Sequence, residues 1–118
     1  MPVKTKCIYE PKSKNDGYRV LVMRLWPRGI SKDKIDIWVK DLGTPPDLIK
    51  KWKSGSISWA EFSKQYRKFA TQHKDKIDEL ALKAKKETIT LLCSCRDGKY
   101  CHRALLEELI TGNFPIRG

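Results

Sequence analysis

Residues 18–25 read Tyr-Arg-Val-Leu-Val-Met-Arg-Leu and run directly into Trp26-Pro27-Arg28-Gly29. The centre of this stretch is nearly continuous in apolar residues rather than alternating. That pattern marks a strand buried on both faces, as in a sheet covered by helices. Pro27 and Gly29 end it.

Working outward, Val3 to Tyr9 reads as an earlier strand, followed by a polar loop from Glu10 that closes in Asp16-Gly17 turn chemistry. Thr88-Ile89-Thr90-Leu91-Leu92-Cys93 is rich in β-formers and reads as a central strand. Between the strands lie four helical patterns. Ser31 caps a first one, with Ile35, Trp38, Val39 and Leu42 at helical spacing and Gly43 as its stop. Thr44-Pro45-Pro46 opens a short helix to about Lys53. Ser58-Trp59-Ala60-Glu61 matches a capping box, and Trp59, Phe62, Tyr66 and Phe69 follow on one stripe. A fourth helix covers about Asp75 to Lys86. After the central strand, a last helix carries Leu105, Leu106, Leu109 and Ile110 and stops at Gly112. The expected order is two strands, four helices, a strand and a helix. With no repeat or linker, residues 1–118 read as one α/β domain, a short central β-sheet flanked by helices, with a radius of gyration of roughly 13–14 Å.

The chain has 25 Lys and Arg against 14 Asp and Glu, a formal net charge of +11. At 40% hydrophobic and 33% charged residues, it has the composition of a folded protein rather than a disordered tail. No apolar run approaches the roughly 20 residues that span a bilayer, and Met1 to Tyr9 has two lysines and no signal-peptide core, so no membrane association and a cytoplasmic location are expected. Most of the positive charge is lysine on helix faces, which serves solubility as readily as binding. The seven arginines are more informative, because Arg24, Arg28, Arg96 and Arg103 fall near turns, where a planar guanidinium suits phosphate or carboxylate.

Chemistry concentrates in Cys93-Ser94-Cys95-Arg96-Asp97-Gly98-Lys99-Tyr100-Cys101-His102-Arg103, a loop between a buried strand and a helix N-terminus. Such a junction gathers free N–H groups and the positive end of the helix dipole, which favours anions. His102 and Arg103 then carry a penalty of about 0.3–1 kcal/mol each if charged and exposed, to be offset by Asp97 or by a bound phosphate or carboxylate. A nucleophilic role for Cys95 or Cys101, with His102 as acid or base, is the catalytic alternative. A phosphatase-type loop would place Arg six positions after its cysteine. Here those positions are Lys99 and Cys101. Cys7 and Cys93 read as small buried hydrophobes. A structural zinc usually draws its ligands from two knuckles, whereas Cys93, Cys95, Cys101 and His102 share one loop and Cys101 and His102 are expected to point apart at a helix start. Spacing alone leaves a Cys95–Cys101 disulfide open as well. No metal or cofactor is assigned.

Ligands of open α/β sheets bind at the carboxyl ends of strands. If the two arginine-bearing strands are parallel neighbours, Arg24 and Arg28 converge with Arg96, His102 and Arg103 on one crevice, with Trp26 as a flat face for a ring.

These residues carry a resemblance. Asp16-Gly17-Tyr18-Arg19-Val20-Leu21-Val22 with Arg24-Leu25-Trp26-Pro27-Arg28-Gly29, the Trp59-x-x-Phe62-x-x-x-Tyr66 helix and Thr90-Leu91-Leu92 resemble the domain-of-unknown-function 488 family, in its short YeaO-like branch, over nearly the whole chain. Longer relatives end in a Cys-His-Arg similar to Cys101-His102-Arg103. The resemblance implies no activity. The expected function is binding of a phosphate-bearing partner, whether nucleotide, small molecule or nucleic acid, through Arg24, Trp26, Arg28, Arg96, His102 and Arg103. The alternatives are a hydrolase or transferase in the same crevice, or a structural or interaction protein. Substrate, reaction and oligomeric state are not legible in the sequence.

Overall fold

A computed structural model describes residues 2–96 and 100–112. Its strands are β1 (Val3–Cys7), β2 (Tyr18–Leu21), β3 (Ile37–Trp38) and β4 (Ile89–Cys93). Its helices are α1 (Pro46–Lys53), α2 (Trp59–Thr71), α3 (Lys74–Lys86) and α4 (His102–Thr111). The strands form one sheet in the order β1-β4-β2-β3, with every pair parallel. All carboxyl ends therefore lie along one edge. The radius of gyration is 13.7 Å.

The apolar run of β2 is buried on both faces, as its sequence implies. Val20 and Val22 point to the side where Leu48, Phe62, Tyr66, Leu80 and Leu106 of the four helices pack, together with Ile89 and Leu91 of β4. Leu21 points the other way and joins Leu92 and Ile8. That second face is covered by Trp26, Ile30 and Ile35 from an irregular segment, so the helices that flank the sheet pack on one side of it.

The helix expected from Ser31 to Gly43 does not form. Ser31 makes no side-chain cap, and the segment is two 3₁₀ turns, Lys32–Lys34 and Lys40–Leu42, on either side of β3. The cause is the open edge of β2, whose carbonyls need donors. Asp36 N–H donates to Arg19 O and Val39 N–H to Leu21 O, each at 2.9 Å, and Val20 and Leu21 stand opposite Ile37 and Trp38. The β-branched pair Ile35 and Ile37 favours this extended edge over a helix. The element order is thus three strands, three α-helices, a strand and a helix.

A buried ionic knot ties the β1–β2 loop to the sheet. Arg19, in β2, is only 1% exposed. Its Nη1 donates to Asp16, and its Nε donates to Lys34 O at 2.7 Å. Lys6 Nζ donates to both Asp16 oxygens at 3.1 Å, and Ser13 N–H adds a bond at 3.0 Å. Thr90 Oγ1, in the middle of β4, donates to Asp16 O at 2.6 Å. Gly17 makes this close approach feasible, because with φ at 64° any Cβ would lie 2.2 Å from Thr88 O. Burial opposes ionisation of Asp16, but the Ser13 hydrogen bond and the Lys6 and Arg19 charges outweigh it and hold the carboxyl below its ordinary value of 3.8. A depressed carboxylate stabilises the fold fully above its unfolded value and loses that contribution as pH falls through its folded value. Unfolding midpoints in denaturant should therefore drop as pH goes below 3.8, and more steeply in wild type than in Asp16→Asn. At neutral pH Asp16→Asn should cost about 3–5 kcal/mol, because it leaves Arg19 buried without its partner. An unchanged midpoint would remove the knot from the account.

Candidate functional site

A cleft of about 370 Å³ opens at the carboxyl edge of the sheet, where β2 and β4 end side by side. Met23 and Arg24 follow β2, while Cys93, Ser94 and Cys95 continue from β4. Cys101 and His102 enter from the start of α4. Ile49, Trp52 and Lys53 of α1, Phe62 of α2, Thr44 and Tyr100 complete the walls. Trp52 is the hub of the aromatic side, with ring centroids 6.0 Å from Phe62, 6.2 Å from Tyr100 and 5.2 Å from Trp59.

Local chain geometry explains why these groups meet. Gly43 packs so tightly on the end of β2 that a Cβ there would lie 2.4 Å from Arg24 N. The residue after it, Thr44, accepts a long hydrogen bond of 3.4 Å from Arg24 Nε through its carbonyl. The Arg24 guanidinium also sits 5.3 Å from the Phe69 ring centroid. Neither Arg24 nor Lys53 forms an ion pair among the described residues. The Thr44 hydroxyl is buried and without a partner among them.

The floor of the cleft is Cys93, Cys101 and His102, all buried, whose sulfur and ring-nitrogen atoms lie within 4.8 Å of one another. Cys101 Sγ is 3.7 Å from His102 Nδ1. The expectation that Cys101 and His102 point apart fails for a local reason. Cys101 is the N-cap, with extended backbone at φ −140° and ψ 145°, so its side chain does not follow helical spacing. His102 Nε2 lies 2.5 Å from Val22 O. A carbonyl can only accept, so Nε2 carries the hydrogen and Nδ1 faces the sulfurs. Hydrogen bonding from Cys101 pulls the Cys93 thiol down to about 4 against the cost of burial, with His102 assisting. The same pairing pushes the Cys101 thiol far up, because two adjacent sulfurs share one proton. The N-terminus of α4 also favours a thiolate there. Tyr66 packs its ring 5.5 Å from that of His102 and donates to Leu42 O at 2.5 Å. Burial holds its phenol well above the ordinary value, so it remains a neutral donor.

The residues singled out from sequence divide into separate settings. Arg24, Cys95, Cys101 and His102 line the cleft. Trp26 lies on the opposite face of the sheet, edge-on to Trp38 at 5.4 Å, and donates from Nε1 to Ile30 O at 2.7 Å. Arg28 and Arg96 are exposed and both approach Tyr9, Arg28 through its carbonyl at 3.0 Å and Arg96 with its guanidinium 6.0 Å from the ring centroid. Arg103 is 3% exposed, and its Nη1 donates to Lys6 O and Cys93 O at 3.3 Å and to Cys95 O at 2.7 Å. These carbonyls supply the compensation that a cation at a helix start requires. Asp97, the other compensating group considered, lies outside the described residues. No disulfide joins the four cysteines.

Sequence reasoning missed Cys93, Lys53, Trp52 and Tyr100 as lining residues. Cys93 is the last residue of a buried strand and reads as core until the adjoining strand end is known. Trp52 and Lys53 stand on a short helix whose only legible features were its ends. The signal that could have found them is position: α1 follows directly on the Gly43-Thr44 approach to Arg24.

Fold and site together define a parallel α/β protein with a thiol–imidazole cleft at the carboxyl edge of its sheet. The chain belongs to the DUF488 family, residues 3–113 matching DUF488-N3a, described as the active DUF488-N3 subclade. It is 36% identical over 110 residues to the uncharacterised protein YeaO of Escherichia coli (strain K12), covering 92% of this chain and 96% of that one. It is 28% identical over 118 residues to the uncharacterised protein Rv3073c of Mycobacterium tuberculosis (strain ATCC 25618 / H37Rv), covering 93% and 94% of the two chains. No solved structure matches.

Arg103 gives a direct test of the division between cleft and scaffold. Replacement by leucine should lower unfolding stability by about 2–4 kcal/mol, since a buried carbonyl and two part-buried ones lose a charged donor. A variant with wild-type stability would return Arg103 to the candidates for ligand contact.

Proposed function

We propose that this cleft binds a phosphate-bearing molecule with a flat ring, a nucleotide or the exposed nucleotide of a nucleic acid, in the cytoplasm. The observation that carries the reading is the pairing, in one cleft, of an aromatic wall with cations that form no ion pair among the described residues: Arg24 and Lys53 beside Trp52, Phe62 and Tyr100. Its place at the carboxyl ends of parallel strands is where open α/β sheets take ligands, and its volume falls in the range of small-molecule sites. Stacking on Trp52 would contribute about 1–3 kcal/mol, and a charge-assisted contact from Arg24 a similar amount. The net charge of +11 adds a long-range attraction that salt weakens.

A catalytic reading rests on the same cleft. The thiol pair and the oriented imidazole stand beneath the bound ligand, where group transfer or hydrolysis would take place. The family's description as an active subclade is in keeping with it.

Titration of Trp fluorescence with nucleoside monophosphates and short oligonucleotides, at low and high salt, tests the binding reading. Arg24→Ala should weaken binding by about 10- to 100-fold. Lys53→Ala should weaken it less and flatten the salt dependence, while Arg28→Ala should leave it unchanged. Binding that survives both Arg24→Ala and Lys53→Ala intact would place the ligand elsewhere.

A further inference from the structure

We propose that Cys93, Cys101 and His102 form a binding site for a thiophilic metal ion of the zinc class, with a fourth coordination position open to the cleft. The site goes beyond the nucleotide reading and does not depend on it.

The geometry is the first argument. Zinc held at about 2.3 Å by sulfur and about 2.0–2.1 Å by imidazole nitrogen keeps tetrahedral ligand atoms roughly 3.5–3.8 Å apart. Cys101 Sγ and His102 Nδ1 stand 3.7 Å apart, and all three ligand atoms lie within 4.8 Å of one another. Small rotations of side chains would complete the triangle. The ligands also stand on regular elements, Cys93 at the end of β4 and Cys101 and His102 at the start of α4.

The orientation of His102 is the second argument. Ligating imidazoles generally donate their other ring N–H to a carbonyl or carboxylate, which fixes the tautomer and strengthens the ligand. His102 Nε2 makes this contact with Val22 O, and the nitrogen it leaves for a metal is the one facing the sulfurs.

Charge supplies the third argument. Two thiolates and a divalent cation sum to zero, so a loaded site can be buried without a net charge. Metal binding would displace the thiol protons of Cys93 and Cys101. The three residues are buried yet line a cleft that opens to solvent, so an ion has an entry path and the fourth position faces the cleft. Three protein ligands with one open position is the arrangement of catalytic rather than structural zinc.

The test uses the intact chain, purified under a non-thiol reductant, with metal alone as the probe. Elemental analysis should find zinc close to stoichiometric with protein. Titration of metal-free protein with Co²⁺ should produce thiolate-to-cobalt charge-transfer absorption and the strong visible bands of a tetrahedral site. Cys93→Ser, Cys101→Ser and His102→Ala should each lower affinity by more than about 100-fold, beyond the 10- to 100-fold loss that follows removal of an outer partner. Cys7→Ser should retain the metal. Reduced wild-type protein that acquires neither stoichiometric zinc nor the cobalt–thiolate band overturns the proposal, whether or not any variant folds. So does metal that persists in Cys101→Ser. Failure of nucleotide binding would leave these readouts untouched, so the two readings fail separately.

Discussion

The parallel pairing of β4 with β1 on one side and β2 on the other sets the position of everything else. All five residues of β4 are buried, and the register Tyr18 to Ile89 and Leu21 to Leu92 brings the ends of β2 and β4 level. Val22 N–H extends the ladder by donating to Leu92 O at 3.0 Å. Val22 O is then free to receive His102, and Cys93 emerges beside Met23 and Arg24. A shift of this register by one residue would invert Leu91 and Leu92 between the two cores and separate Cys93 from the imidazole. The same hydrogen-bond ladder that closes the core thus assembles the floor of the cleft.

Charge is used in two distinct ways. Arg19 and Arg103 are buried and serve as anchors, Arg19 with Asp16 and the turn that precedes β2, Arg103 with carbonyls from β1, β4 and the loop after it. Arg24 and Lys53 instead face the cleft without ion pairs among the described residues. The net charge of +11 therefore says little about location until each cation is placed. Arginine near a turn is as well suited to gathering carbonyls at a strand end as to gripping phosphate, because both tasks use the same fork of donors.

This equivalence explains how far the sequence could be read. The α/β class, the two-sided burial of Val20 to Val22, the α2 stripe and the α4 stop at Gly112 were legible because each is local in periodicity or capping. The edge strand Ile37–Trp38 was not, since Ile35, Trp38, Val39 and Leu42 fit helical spacing and only the unmet carbonyls of β2 select the extended form. At the site, β2 and β4 are the parallel neighbours on which the expected crevice was made conditional. Which face each side chain takes was beyond reach: Trp26 turns to the far side of the sheet, while Cys93 lines the cleft. The N-cap conformation of Cys101, which turns it toward His102, depends on the loop as a whole and leaves no mark in residue spacing.

The four tryptophans divide evenly between the two faces, Trp52 and Trp59 beside the cleft and Trp26 and Trp38 away from it. Indole N–H resonances followed by NMR during titration with a nucleoside monophosphate therefore test the location of the ligand site most directly. The account predicts that the Trp52 signal shifts, with Trp59 following, while Trp26 and Trp38 stay in place. Shifts confined to Trp26 and Trp38, or binding that moves none of the four, would contradict it.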